Sequence, residues 1–260
     1  MTATPSKNHE FRQQLVLSKD GTAVSYQSIG TGTPLVVIPG ALARAIDYDE
    51  FARELAGQFT VHVVNRRGRG ESGLQGNDYS VEKECEDLQA VCTATNATLL
   101  FGHSYGGFVA LETALRDTRF TKIALYEPGL SVDGSIKMEW APQCQTQLDQ
   151  GKHSDALVTF IHGLTPASRS LPRWLFRISY GSWSSRKYYN ENTLSCIQRF
   201  PNTQSWLVSI TPILDAMTSP QKSCFLSGKR LSPRVPDSHQ TNYRRCSRTL
   251  LIFSSRNWII

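Results

Sequence analysis

Ser104 stands in Gly102-His103-Ser104-Tyr105-Gly106-Gly107, flanked two residues away on each side by glycine. The run Ala97-Thr98-Leu99-Leu100-Phe101 before it is apolar, and residues 108–115 after it carry a helical pattern. A strand, such a turn and a helix in succession lift a strained hydroxyl clear of a sheet edge and onto a helix N-terminus, with almost no room for flanking side chains. Ser104 is therefore a candidate nucleophile; the plain alternative is a glycine-rich turn without chemistry. Gly106, Ala110 and Ala114 recur every four residues, a stripe of small side chains that lets the helix lie close against the sheet.

A nucleophilic serine needs a base, an acid to orient that base, and donors for the oxyanion. Glu127 follows the apolar run Thr121–Tyr126. That places its carboxylate at a strand's carboxyl end, on the same edge as Ser104, where open α/β sheets gather their sites. The competing reading is a solvent-facing loop carboxylate. Histidine is the expected base, and the chain holds six. His62 lies inside an apolar strand pattern and reads as a hydrogen-bonded structural residue. His103 sits in the turn itself, His9 in the polar start, His153 and His162 in the middle stretch and His239 in the tail.

The elements that must position these groups come in a regular order. Phe11–Ser18 and Thr22–Gln27 flank Lys19-Asp20-Gly21, a hairpin signal. Pro34–Ile38 is a continuous apolar run of the kind buried on both faces of a parallel sheet. Ile46–Ala56 reads as a helix, with Tyr48, Phe51 and Leu55 on one face, acidic residues in its first turn and Gly57 as its stop. Val61–Val64 predicts the next strand. Ser80 is a plausible N-cap for a helix to Thr95 that buries Val81, Cys85, Leu88 and Cys92.

The Gly-His-Ser-Tyr-Gly-Gly turn, in this context, resembles the nucleophile elbow of the α/β-hydrolase superfamily, and the likeness extends over residues 11–130. It implies an α/β-hydrolase fold: a mostly parallel sheet with helices on both faces and a helical cap. The expected organisation is a first part of the core at 11–128, a cap at 129–210 and the remainder of the core at 211–260. By the same resemblance Pro39-Gly40-Ala41 corresponds to the oxyanion loop, with the Ala41 and Tyr105 N–H groups as donors, each worth on the order of 3 kcal/mol; a simple turn is the alternative. Asn65-Arg66-Arg67-Gly68-Arg69-Gly70-Glu71-Ser72 resembles the superfamily's Asp-x-Arg-Gly-x-Gly-x-Ser loop, with asparagine for aspartate, and reads as structural. Phosphate binding by its three arginines is the lesser reading, because no P-loop lysine follows. Glu127 matches the acid position that part of the superfamily uses.

The implied reaction is hydrolysis of an ester or related carbonyl compound of a small apolar molecule, with no cofactor and no metal. Serine at position 104 argues against a haloalkane dehalogenase, which needs aspartate there. Two alternatives stay open: a catalytically silent relative that binds a small molecule, and a tailoring hydrolase, lyase or cyclase of secondary metabolism.

Composition bounds the remaining classes. With 40% hydrophobic and 19% charged residues the chain reads as a soluble globular protein. It shows neither a signal-peptide core nor a long apolar run, so a cytoplasmic location with no membrane partner is expected. Six scattered cysteines without Cys-x-x-Cys pairs predict reduced thiols rather than zinc or disulfides. The net charge of +6 is concentrated in the second half, but no nucleic-acid-binding motif accompanies it. Between residues 129 and 210, prolines interrupt a series of aromatics, most of them expected to form a cap core.

The tail departs from the family pattern. Lys222–Gly228 resembles the penultimate strand, yet no aspartate follows closely, and Asp237 is a distant second to Glu127 as the acid. Arg248–Phe253 resembles the last strand, and Trp258 falls near the position where the histidine is expected. An atypical or truncated C-terminus without the last helix is the expectation. A shifted reading frame, an altered splice or divergence would each produce that composition.

Overall fold

The computed structural model describes residues 10–76, 78–130, 137–164, 168, 170, 172 and 249–253. Strands β1 (Arg12–Leu17) and β2 (Ala23–Ile29) form the expected antiparallel hairpin, and β2 pairs antiparallel with β4 (Phe59–Val64). The next pairings are all parallel: β4 with β3 (Thr33–Ile38), β3 with β5 (Leu99–His103), β5 with β6 (Lys122–Tyr126), and β6 with β7 (Thr249–Phe253). The resulting sheet of seven strands runs β1-β2-β4-β3-β5-β6-β7. β7 matches the strand expected at 248–253 and lies directly beside β6; the strand expected at 222–228 falls outside the described residues.

Helices cover both faces because β3 alternates with period two. Val36 and Ile38 enter one core with helix α2 (Val81–Thr95) and helix α3 (Tyr105–Arg116), while Leu35 and Val37 enter another with helix α1 (Asp49–Leu55). The α2 stripe is the one read from sequence, with Val81, Cys85, Leu88 and Cys92 all buried. Ser80 accepts a hydrogen bond from Lys83 N–H at 3.4 Å, which caps α2. Burial pushes the Cys85 and Cys92 thiols up to about 12, so both are unreactive at neutral pH.

One expected helix divides in two. Ala45–Tyr48 is a 3-10 turn and α1 starts only at Asp49. Asp47 Oδ2 accepts the Arg44 N–H at 2.8 Å, and the Asn65 side chain accepts the Ala45 N–H at 2.7 Å. Those bonds tie the turn to the loop after β4 and set it off from the helix. Gly57 is not in the left-handed region, and α1 ends on Ala56 in helical conformation.

Beyond β6, helices α4 (Ala141–Asp149) and α5 (His153–Leu164) pack together through Trp140, Cys144, Leu148, Ala156, Leu157 and Phe160. The Trp140 and Phe160 rings meet edge-on with centroids 5.4 Å apart. Ala41 and Leu42 pack against this cluster, so the helical pair rests on the loop after β3. The later aromatics of the expected cap lie outside the described residues. Among the described residues no helix is long and apolar enough to cross a membrane.

Candidate active site

β5 lies at the centre of the parallel part of the sheet, and Ser104 follows it as the residue that caps α3. Its backbone is at φ 51, ψ −124, a conformation costing a non-glycine residue on the order of 1–3 kcal/mol. Glycine is required around it: a Cβ on Gly102 would lie 2.6 Å from Gly107 Cα, and one on Gly106 would lie 2.2 Å from Ile38 O. That tight approach brings α3 onto the end of β3, as the small-residue stripe indicated.

The strained conformation is locked from the next strand. Ser104 N–H donates to Tyr126 O at 3.0 Å, and Gly129 N–H donates to Ser104 O at 2.8 Å. Residues 126–129 therefore wrap around the serine, and Glu127 lies within that wrap at φ 43. Three non-glycine residues among those described have positive φ. Asn96 merely ends α2; the other two are Ser104 and Glu127, at adjacent strand ends. Glu127 is exposed, and its charge acts on His103: burial lowers the His103 pKa and Glu127 opposes the shift.

His103 itself is engaged by Tyr48, whose hydroxyl lies 2.5 Å from Nδ1. Tyr48 OH also accepts the Gly40 N–H at 3.3 Å. Ser104 Oγ has no hydrogen-bond partner among the described residues. His62, by contrast, is held by Ser28 Oγ at 2.7 Å, and its pKa falls to about 4 through burial and the nearby Arg12, consistent with a structural residue. His153 and His162 are on α5.

Opposite the serine stands the Pro39-Gly40-Ala41 loop. A Cβ on Gly40 would lie 3.4 Å from Ser104 Cβ, so bare backbone faces the nucleophile. Tyr105 is buried at the start of α3; its hydroxyl meets Tyr79 OH at 2.6 Å and its ring lies 4.4 Å from the Arg66 guanidinium carbon. Gly40 is thus set against Ser104, with Ala41 next to it in the loop and Tyr105 next to the serine, and Glu127 follows the neighbouring strand on the same edge.

The arginine loop turns inward. Arg66, Arg67 and Arg69 are 3%, 1% and 2% exposed. Arg66 holds Glu84 through Nε and NH2 at 2.8 and 2.6 Å, and Arg67 holds Asp87 through the same two atoms at 2.7 Å each. Burial opposes charge on both Arg66 and Glu84, yet their pairing wins: the Arg66 pKa is raised and the Glu84 pKa lowered. The bonds from this loop to Gly40 O and Ala41 O were not read from the sequence, in which the loop was structural with phosphate binding as the lesser reading. A signal was present: Glu84 and Asp87 flank the apolar stripe of α2, so both carboxylates had to meet buried cations.

A cavity of about 890 Å3 opens on the α1 face of the sheet, between Tyr48, Phe51, Phe101 and Ile123. It reaches His103 and Tyr126, the residues before Ser104 and Glu127, but is lined by neither Ser104 nor Glu127. Among the described residues it is a gap in the cover of the sheet, apart from Ser104 and Glu127.

A strained serine between strand and helix, in a sheet of this order, agrees with a family model for the alpha/beta hydrolase family that matches residues 35–255. The chain belongs to that family. It is 28% identical to an alpha/beta hydrolase from Sphaerobacter thermophilus, with a TM-score of 0.54 over 72% of this chain and 76% of that one. An esterase from Exiguobacterium antarcticum shares the fold with a TM-score of 0.57 at 21% identity, over 76% of this hydrolase-family chain and 77% of the esterase. Among curated proteins, the N-formylmaleamate deformylase of Pseudomonas putida is 27% identical over 139 residues, 50% of this chain and 52% of that protein. The pimeloyl-[acyl-carrier protein] methyl ester esterase of Aeromonas salmonicida is 33% identical over 94 residues, 36% of each. The chain thus spans about half or less of the length of these two curated relatives.

Proposed function

We propose that the protein is a serine hydrolase acting on an ester, or a related carbonyl compound, of a small apolar molecule. The observation that carries the reading is the locked, strained Ser104 facing the bare backbone at Gly40. Relatives named as an esterase and a deformylase point to the same class of substrate. Ser104 Oγ adds to the carbonyl carbon while its proton passes to a histidine, and the Ala41 and Tyr105 N–H groups receive the oxyanion. The tetrahedral adduct then expels the alcohol, which takes the proton back, and water repeats the sequence on the acyl-enzyme. Glu127 orients the histidine. Residues 129–210 act as a cap, and the apolar contacts of Ala41 and Leu42 with the α4–α5 pair suit an apolar substrate beneath it.

A second reading, a silent member that binds but does not turn over, is favoured by one feature. No described residue bonds Ser104 Oγ, and Trp258 stands near the position where the resemblance expects the histidine. Treatment with a fluorophosphonate decides between the two, with Ser104→Ala as the control. Rapid labelling lost in Ser104→Ala supports the hydrolase, and His→Gln substitutions at 103, 153, 162 and 239 then identify the base. Absence of Ser104-dependent labelling rejects the hydrolase in favour of the silent member.

A further inference from the structure

We propose that Arg69, together with Arg66, is a positioning residue that aims the Ala41 amide at the oxyanion; this rests on the serine-hydrolase reading above. Arg69 is 2% exposed, and none of its hydrogen bonds goes to a carboxylate. A buried guanidinium without a directly bonded carboxylate is costly, and such groups persist where their donors do something specific. Here Nε and NH2 converge on one carbonyl, Ala41 O, at 3.0 and 2.6 Å, and NH1 donates to Arg67 O at 2.9 Å. Its field reaches Glu84, which already pairs with Arg66.

Arg66 acts one peptide earlier. Its NH1 donates to Gly40 O at 3.3 Å, while Nε and NH2 are committed to Glu84. In a trans peptide the carbonyl and the following N–H point in opposite directions, and no cis peptide is present among the described residues. Gly40 O accepts from both Arg66 NH1 and the Ala43 N–H at 3.3 Å, and holding it there turns the Ala41 N–H to the other side. Holding Ala41 O with Arg69 fixes the next peptide plane. Both planes that meet at the Ala41 Cα are held, so the amide's direction is set before substrate arrives, which is the condition for a donor to favour the transition state. Bonds to the two carbonyls also polarise their peptides and strengthen the N–H groups as donors. Tyr48 OH, on the Gly40 N–H, holds the loop from the side of His103.

The test uses the full chain with Arg69→Gln and Arg69→Lys. Two quantities are measured: the rate constant and apparent affinity for fluorophosphonate labelling of Ser104, and the 1H–15N resonance of the Ala41 amide. For Arg69→Gln the labelling rate constant should fall about 10- to 100-fold, less than deletion of a whole oxyanion donor, while the affinity changes less than about 2-fold. The Ala41 resonance should move. Arg69→Lys should recover part of the rate, since its ammonium can keep one bond to Ala41 O. A lower melting temperature with an unchanged rate constant, or an unmoved Ala41 resonance, overturns the proposal by showing a role in folding alone. If the parent chain does not label at Ser104, the hydrolase reading fails separately, and the resonance decides whether Arg69 sets the amide. Should Arg69→Gln not fold, Arg69→Lys decides by the same two measurements.

Discussion

On the face of the sheet covered by α2 and α3, Leu100, Phe108, Val109 and Leu125 are each 2% exposed or less; beside α1, the rings of Phe51, Phe59 and Phe101 are half-buried and border the cavity. The closed face also receives the arginine loop, because Glu84 and Asp87 project from α2 to hold Arg66 and Arg67. Rigidity is thereby delivered to the Gly40–Ala41 loop from the closed side. The half-covered side supplies Tyr48 and His103, which join the same loop through one hydroxyl. The difference shows how a loop at a sheet edge is held still: groups seated in a close-packed core clamp its carbonyls, and one bond of its own, Ala43 N–H to Gly40 O at 3.3 Å, is added to theirs.

The largest effect should come from breaking the clamp's foundation. Arg66→Met leaves the Glu84 carboxylate buried without its cation and removes the bond to Gly40 O, so a loss of about 3–5 kcal/mol is expected in urea unfolding. A loss below about 1 kcal/mol would show that the closed face does not depend on the pair. Next comes a direct comparison of the faces. Phe108→Ala empties a fully packed site and should cost about 3–5 kcal/mol, whereas Phe101→Ala, beside an existing cavity, should cost about 1–2 kcal/mol. Equal losses in unfolding experiments would mean that the α1 face is as well packed as the other.

The mildest perturbation is a change of pH acting through His62, which contacts Tyr26 on the closed face, the ring centroids 5.9 Å apart. Its pKa is lowered to about 4 in the fold, chiefly by burial, against about 6.5 when unfolded. Between these values the unfolded chain binds a proton that the folded one does not, so stability falls as pH drops from about 6.5 to about 4, at up to about 1.4 kcal/mol per pH unit. His62→Gln should flatten that slope in urea titrations across the window. An unchanged slope would assign it to other groups.

What the sequence determined by itself was local. The continuous apolar run at 34–38, the helical stripe of α2 and the glycine spacing around Ser104 each state their conformation within a few residues, because sterics and side-chain periodicity act over one strand or one turn. Family membership followed from the same short signals. Glu127 was placed on the correct edge for the same reason: a strand end is readable from the run that precedes it. Tertiary structure decided the rest. It split the expected helix at 46–56, because Asn65 reaches back across β4 to the Ala45 amide, a bond no window of residues 46–56 contains. It seated β7 beside β6 from more than a hundred residues away. It also turned three arginines inward, onto carboxylates and carbonyls distant along the chain. A charged side chain is readable in a sequence as a charge, but whether it faces water or a buried partner depends on which backbone and side-chain groups the fold brings within hydrogen-bond distance, and only the packed sheet sets that.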